Sequence, residues 1–182
     1  WEGPYHMQKS IALVGIGLLG SAMARRLLQA GCRVSGFDVS ASGGQALRQW
    51  GGEPRSSLQE LCVGPEAIVL CLPNSQVVAD VLQAISPNLH KQQIVVDMTT
   101  GDPDRMRDFG HSMAGQGLVY VEANVAGSSE QAEQGQATLF LGGDSPDLAQ
   151  LRWLWPLLTS QAVHIGPVGT ASKFKLVHNL IL

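Results

Sequence analysis

Short uninterrupted apolar runs alternate along this chain with stretches whose apolar residues recur every three or four positions. The runs at 11–14, 34–37, 67–72, 94–98, 119–125, 137–141 and 163–165 have the length of strands. Between them, 20–30, 42–50, 57–62, 77–85, 104–113 and 147–154 carry helical spacing. In 20–30 the repeat consists of Ala22, Met23, Leu27, Leu28 and Ala30, and Gly31, tolerant of a positive φ, closes the helix. Strands that are apolar without alternation belong in a sheet covered by helices on both faces. Short glycine- and proline-rich joins complete the rhythm. The pattern predicts an α/β fold of Rossmann type: a doubly wound, mainly parallel sheet with helices on both faces.

Both ends depart from this rhythm. Residues 1–7 precede the first strand, and the pair His6-Met7 is what a common cloning site encodes, so this segment is read as a cloning remnant outside the fold. From Thr170 a new helical repeat begins, with Phe174, Val177, Leu180 and Ile181 apolar, and no cap, glycine or proline closes it before Leu182. Such a stripe normally lies against something. The expected organisation is one α/β domain over 8–168, with 169–182 starting an interdomain helix towards an absent second domain. The alternative is a short helix docked on its own domain.

Composition narrows the function. The 182 residues, 45% hydrophobic and 15% charged, suffice for one full-sized domain with a substantial core. The low charge excludes disorder. A formal net charge of −3 with no Lys/Arg cluster argues against nucleic acid or an anionic membrane as partner. No apolar stretch approaches the roughly 20 residues that cross a bilayer, and the N-terminus does not resemble a signal peptide. Cys32, Cys62 and Cys71 are too few and too oddly spaced for a disulfide framework or a zinc site. Cys71 sits in an apolar run and reads as a small buried hydrophobe. A reduced, cytoplasmic setting follows, or the mitochondrial matrix in a eukaryote. No metal site is expected.

One motif carries chemistry. Gly15-Ile16-Gly17-Leu18-Leu19-Gly20 lies between the first strand and the first helix. Gly15 permits a tight turn, Gly17 lets backbone approach a pyrophosphate, and Gly20 lets helix pack close to strand. The helix N-terminus presents unpaired N–H groups to the phosphates. Asp38, at the end of the second strand, stands where a carboxylate accepts both ribose hydroxyls and repels a 2′-phosphate. Val39 and Ser40 follow where an NADP site would want arginine, so NAD is favoured over NADP. The competing role for Asp38 is as N-cap of the helix from Ser42. No phosphate loop of the GxxxxGK[ST] type, no GxSxG elbow and no HExxH helix occurs.

Several segments together resemble the β-hydroxyacid dehydrogenases, relatives of 6-phosphogluconate dehydrogenase, at their N-terminal domain. The run VGIGLLGSAMARRLLQAG is similar to the family's cofactor signature, including Met23 and Ala24. Leu72-Pro73-Asn74-Ser75, with Val77, is similar to its loop over the two riboses, and Asp97-Met98-Thr99-Thr100 to its D-S-S-T segment, which implies Thr100 near the nicotinamide. Gly166-Pro167-Val168-Gly169, followed by Lys175 and Asn179, resembles the closing motif, which implies Lys175 as catalytic acid/base and Asn179 as substrate-binding. Helical spacing agrees, since residues four apart share a face. Without the resemblance such a pair reads as a solvated face. His178 stands where the family often has another asparagine. The chain departs from the family's D-A-P-V-S-G-G at Glu122-Ala123-Asn124-Val125-Ala126-Gly127-Ser128. Gly127 and Ser128 remain for a substrate carboxylate, but Ala126 donates no side-chain hydrogen bond, a loss of about 1.5–3 kcal/mol to a charged group.

The resemblance implies an NAD-dependent dehydrogenase of a small β-hydroxyacid or its semialdehyde. It also implies an all-helical second domain and a homo-oligomer formed through it, so that these residues alone turn over little substrate. Two other classes compete: a non-catalytic dinucleotide-binding or oligomerisation module, favoured by Ala126, and an imine-reductase-like enzyme, disfavoured by Lys175 and Asp38.

Overall fold

A computed structural model describes residues 8–181, and the remnant reading of 1–7 falls outside the described residues. Eight strands form one sheet in the order β3-β2-β1-β4-β5-β6-β7-β8. They are β1 (Ser10–Val14), β2 (Arg33–Phe37), β3 (Glu53–Pro54), β4 (Ala67–Leu70), β5 (Ile94–Asp97), β6 (Val119–Ala126), β7 (Thr138–Gly142) and β8 (Gln161–Gly166). The helices are α1 (Leu18–Gln29), α2 (Ala41–Gln49), α3 (Leu58–Leu61), α4 (Ser75–Ile85), α5 (Pro103–Gly115), α6 (Ser129–Glu133), α7 (Ser145–Gln150), α8 (Trp155–Leu158) and α9 (Thr170–Ile181).

Alternation along each strand divides the core into two layers. Ile11 and Leu13 face a cluster with Met23 and Leu27 of α1 and Trp155 of α8. Ala12 and Val14 face the opposite cluster, with Val78 and Leu82 of α4 and Met106 of α5. All four of these β1 residues are buried, the burial that unalternating apolar strands predict. The order runs outward in both directions from β1 and β4, so a crevice opens at their C-terminal ends, where doubly wound sheets bind ligands.

The pairing is not parallel throughout. β6 and β7 pair antiparallel, with Asn124 opposite Phe140, whereas β7 and β8 are parallel. Segment 127–137 is shorter than the dozen or so residues a parallel crossover needs. Three short elements escape the periodicity argument. β3 has two residues. α6 has a single buried position, Ala132, to show an apolar stripe, although the Ser128–Gln131 capping box that starts it was readable. The helix expected over 147–154 ends at Gln150, and α8 restarts with Pro156 in its first turn, since proline cannot continue a helix that arrives from before it.

Candidate functional site: the crevice and the seat of the last helix

The strand β1 runs straight into the glycine turn. Gly15 has φ +90°, and a Cβ there would overlap the Cys71 carbonyl oxygen. A Cβ on Gly20 would overlap the carbonyl of Gly15. Both glycines are therefore demanded by the chain's own packing. Gly17 is different. Nothing lies within 4 Å of where its Cβ would be, so internal packing does not require glycine, while an approaching phosphate would.

The first turn of α1 points the same way. Its N-cap is Gly17, with no side-chain acceptor and no acidic residue in the turn. By contrast, α4, α5 and α6 are capped by Asn74, Asp102 and Ser128. The α1 terminus thus keeps donors and a positive dipole end for an outside anion. Leu18 and Leu19 belong to that turn, and Leu18 is exposed.

Asp38 is tied to this turn. Its Oδ2 accepts the Ile16 N–H at 2.6 Å and its Oδ1 the Ser40 N–H at 2.7 Å. The N-cap of α2 is Ser40 rather than Asp38, so the capping role considered for Asp38 does not hold. The carboxylate lies on the rim of a cleft of about 660 Å³ that Gly15, Gly17, Leu72, Pro73 and Val77 also line. Phe37, Leu58 and Val81 are among the other apolar residues of its wall. Sequence reasoning missed these three, because Leu58 and Val81 come from helices whose approach to β2 is a tertiary matter. Asn74 does not line the cleft; its Oδ1 accepts the N–H groups of Gln76 and Val77. Thr100 is exposed just beyond β5.

The second region lies where β6 meets α9. Glu122 is buried, and its Oε2 accepts the Gly169 N–H at 2.5 Å. Its Oε1 accepts the Ser172 N–H at 3.2 Å and the Ser172 hydroxyl at 2.5 Å. A strand carboxylate thus caps the helix that carries Lys175. Burial pushes the Glu122 carboxyl above the usual range, and these hydrogen bonds oppose the shift. Asp97 sits opposite Glu122 in the β5–β6 register. It accepts the Tyr120 hydroxyl at 2.7 Å and the Thr99 N–H at 2.8 Å. Burial raises its pKa to about 6, against these hydrogen bonds.

α9 runs in the direction of β6. Ala171 lies against Gly142, the partner of Glu122, while Phe174 and His178 meet Phe140, the partner of Asn124, edge to face. Lys175 follows Phe174 on this helix, level with the middle of β6. It is half-buried, and desolvation lowers its pKa. Asn179 is exposed. Gly127 and Ser128 are exposed too, and Ser128 is committed locally: its N–H donates to the Gln131 Oε1 and its Oγ accepts the Gln131 N–H. Lys175, Asn179, Gly127 and Ser128 do not line the cleft around Gly17. Trp155 is core, with its indole N–H donating to the Leu148 carbonyl. Among the described residues there is no group of three or more potential metal ligands and no helix long and apolar enough to cross a membrane.

Residues 10–166 match the family described as the NAD binding domain of 6-phosphogluconate dehydrogenase. The mitochondrial 3-hydroxyisobutyrate dehydrogenase of Drosophila melanogaster is 26% identical over 175 residues, which cover 96% of this chain and 54% of that enzyme. A 3-hydroxyisobutyrate dehydrogenase structure from Mycobacterium tuberculosis, with L-serine, superposes with a TM-score of 0.92 at 22% identity, over 96% of this chain and 60% of that one. An imine reductase variant from Myxococcus stipitatus in complex with NAD+ gives 0.87 at 20% identity, over 96% and 63%. At such identities the two structures speak for the fold alone. The chain spans between about half and two thirds of the length of these relatives. With the glycine turn, the Asp38 carboxylate tied to it and this match in place, the chain belongs to the 6-phosphogluconate dehydrogenase and β-hydroxyacid dehydrogenase family, as its NAD-binding domain.

Proposed function

We propose that this chain is the cofactor half of an NAD-dependent oxidoreductase acting on a small β-hydroxyacid or its semialdehyde, with Lys175 as general acid/base. The observation that carries the reading is the uncapped start of α1, where Gly17 leaves open space above unpaired N–H groups. Gly15, Ile16, Gly17, Leu18, Leu19 and Gly20 would hold the pyrophosphate, and Asp38 the adenosine ribose. Leu72, Pro73, Asn74 and Val77 would flank the riboses, and Thr100 the nicotinamide. The bound dinucleotide supplies the hydride acceptor or donor.

The chain's own part in the chemistry is proton handling. A lysine with a lowered pKa spends more time as the free amine at neutral pH, so its Nζ can take a proton from a substrate hydroxyl or return it to a carbonyl oxygen. Asn179, one turn on, would orient the same substrate. Gly127 and Ser128 would face its carboxylate, with the Ser128 hydroxyl hydrogen still free to donate.

Residues 169–182 are proposed to start the interdomain helix. Leu180 and Ile181 are 85% and 78% exposed, the apolar surface that an all-helical second domain and a homo-oligomer would cover. A module that binds the dinucleotide without turnover is the second reading. It is favoured at the 126–128 turn, where Ala126 has no hydroxyl and Ser128 serves α6. Titration with NAD and NADP tests the cofactor half, and preference for NADP would overturn the role given to Asp38. Turnover of a hydroxyacid or semialdehyde by the complete protein, abolished by Lys175→Ala, separates enzyme from module. Robust turnover by residues 1–182 alone would remove the need for a second domain.

A further inference from the structure

Eight polar or charged residues are buried among the described residues, and five of them, Asp97, Thr99, Glu122, Asn124 and Ser172, gather where β5 and β6 end and α9 begins. Burying such groups is costly unless each is paired. The same strands supply apolar residues one position away, at Val96, Val121, Ala123 and Val125. A core selected for stability alone would continue that pattern.

Asn124 stands at the centre of this cluster. It is fully buried, two residues beyond Glu122 and so on the same face of β6. Its Nδ2 donates to the Thr99 carbonyl at 2.8 Å, and its Oδ1 accepts the longer arm, at 3.4 Å, of a three-centre bond from the Ser172 hydroxyl, whose shorter arm goes to Glu122 at 2.5 Å. The Thr99 carbonyl only accepts, which fixes the orientation of the amide. Thr99 itself accepts the Leu72 N–H on its Oγ1 at 3.1 Å and donates its own N–H to Asp97. Glu122 bonds to Gly169 and Ser172 and not to the 97–101 segment. Among the described residues, Asn124 is the one side chain whose hydrogen bonds reach both the 97–101 segment and α9.

We propose that Asn124 is a positioning residue that locks the Thr99–Thr100 turn to the first turn of α9, so that one buried amide sets the nicotinamide-facing segment and Lys175 relative to each other. This deepens the reading of Thr100 and Lys175 given above and rests on it. An apolar residue at 124 would leave the Thr99 carbonyl unpaired and the turn free to settle independently of the helix.

ADP-ribose, which carries the adenosine and pyrophosphate but no nicotinamide, separates this role from a merely structural one. The chain and its Asn124→Ala variant are titrated with NAD and with ADP-ribose, and amide hydrogen exchange is followed with and without each ligand. Loss of one buried hydrogen bond should weaken NAD binding about fivefold, while ADP-ribose affinity stays within about twofold. NAD should slow exchange over both 99–101 and 170–175 in the parent chain, and over 99–101 alone in the variant. Equal weakening of both ligands, or protection of 170–175 that survives the substitution, overturns the proposal. Should Asn124→Ala fail to fold, Asn124→Ser keeps a polar group that is too short to span Thr99 and Ser172 and leaves the Glu122 bonds to the helix start in place, and the same loss of protection over 170–175 is required of it. A parent chain that binds neither ligand sinks the cofactor reading itself, an outcome distinct from normal binding with unaltered coupling.

Discussion

At the Gly15–Gly20 turn the chain works by omitting side chains, whereas at the seat of α9 it buries carboxylates. The first region offers backbone donors and space, with Gly17 open and α1 uncapped. The second satisfies the start of α9 internally, through Glu122 and Ser172, and leaves nothing there for an outside anion. Two helix N-termini in one domain are thus put to opposite uses. One keeps its backbone donors open to the crevice, and the other is closed by a carboxylate from β6. The difference teaches that a helix terminus is read as a binding site only after asking what already occupies it.

The comparison can be broken at several points. The largest effect is expected from Lys175→Ala in the complete protein. It should lower kcat by about 10²- to 10⁴-fold, the range for a general acid/base, while NAD affinity measured by titration stays close to the parent value. Loss of NAD binding would show that the two regions are not separable.

Next comes the pH dependence of the buried carboxylates. The folded pKa of Asp97 is raised from 3.8 to about 6. The folded state therefore binds this proton more tightly than the unfolded chain does. The resulting stability is fully present below about pH 3.8 and is lost as pH rises through about 6. Asn can replace Asp here, donating to the Tyr120 hydroxyl oxygen while that hydroxyl turns to the Met106 Sδ at 3.2 Å. Unfolding titrations of the parent and Asp97→Asn at pH 3.5 and pH 7 should show the difference moving on the order of 3 kcal/mol in the variant's favour. A difference independent of pH would mean that Asp97 does not titrate in that window.

The two glycines at either end of the α1 turn sharpen the contrast further. Gly20→Ala should destabilise by about 1–3 kcal/mol, since its Cβ collides with backbone. Gly17→Ala, at φ −80° and in open space, should leave the melting temperature nearly unchanged yet weaken NAD about tenfold or more, roughly 1.4 kcal/mol. If both variants behave alike, the openness above Gly17 is not a phosphate seat.

The smallest effect is at Ser128. Replacement by alanine removes one half of a capping box and should cost about 1 kcal/mol of stability. If Ser128 also holds substrate in the complete protein, KM should rise in the same variant. A stability loss with KM unchanged would confine Ser128 to capping α6.

The alternation of apolar and helical runs, the glycine turn and Asp38 were legible in the chain because each rests on neighbours or on a fixed spacing. Ile16 and Asp38 are 22 positions apart, one strand–helix–strand unit, and that unit has few ways to close. The short elements were not legible. α6 and β3 are too brief to show a period, and α8 depends on where Pro156 interrupts α7. Phe37, Leu58 and Val81 could not be placed in the cleft wall, since their meeting is fixed by packing across α3, α4 and β2.

Sequence alone therefore determined the sheet, the crevice and the glycine turn at its edge, because strand burial, helix periodicity and the special role of glycine act locally. Tertiary structure decided the antiparallel β6–β7 pair and the fate of the buried polar residues. Glu122 meets Gly169 across 47 positions and Ser172 across 50, and Asn124 meets Thr99 across 25. Hydrogen bonds over such separations leave no period in the chain. They form only once helix and sheet are already docked, and low surrounding polarity then makes each partner indispensable.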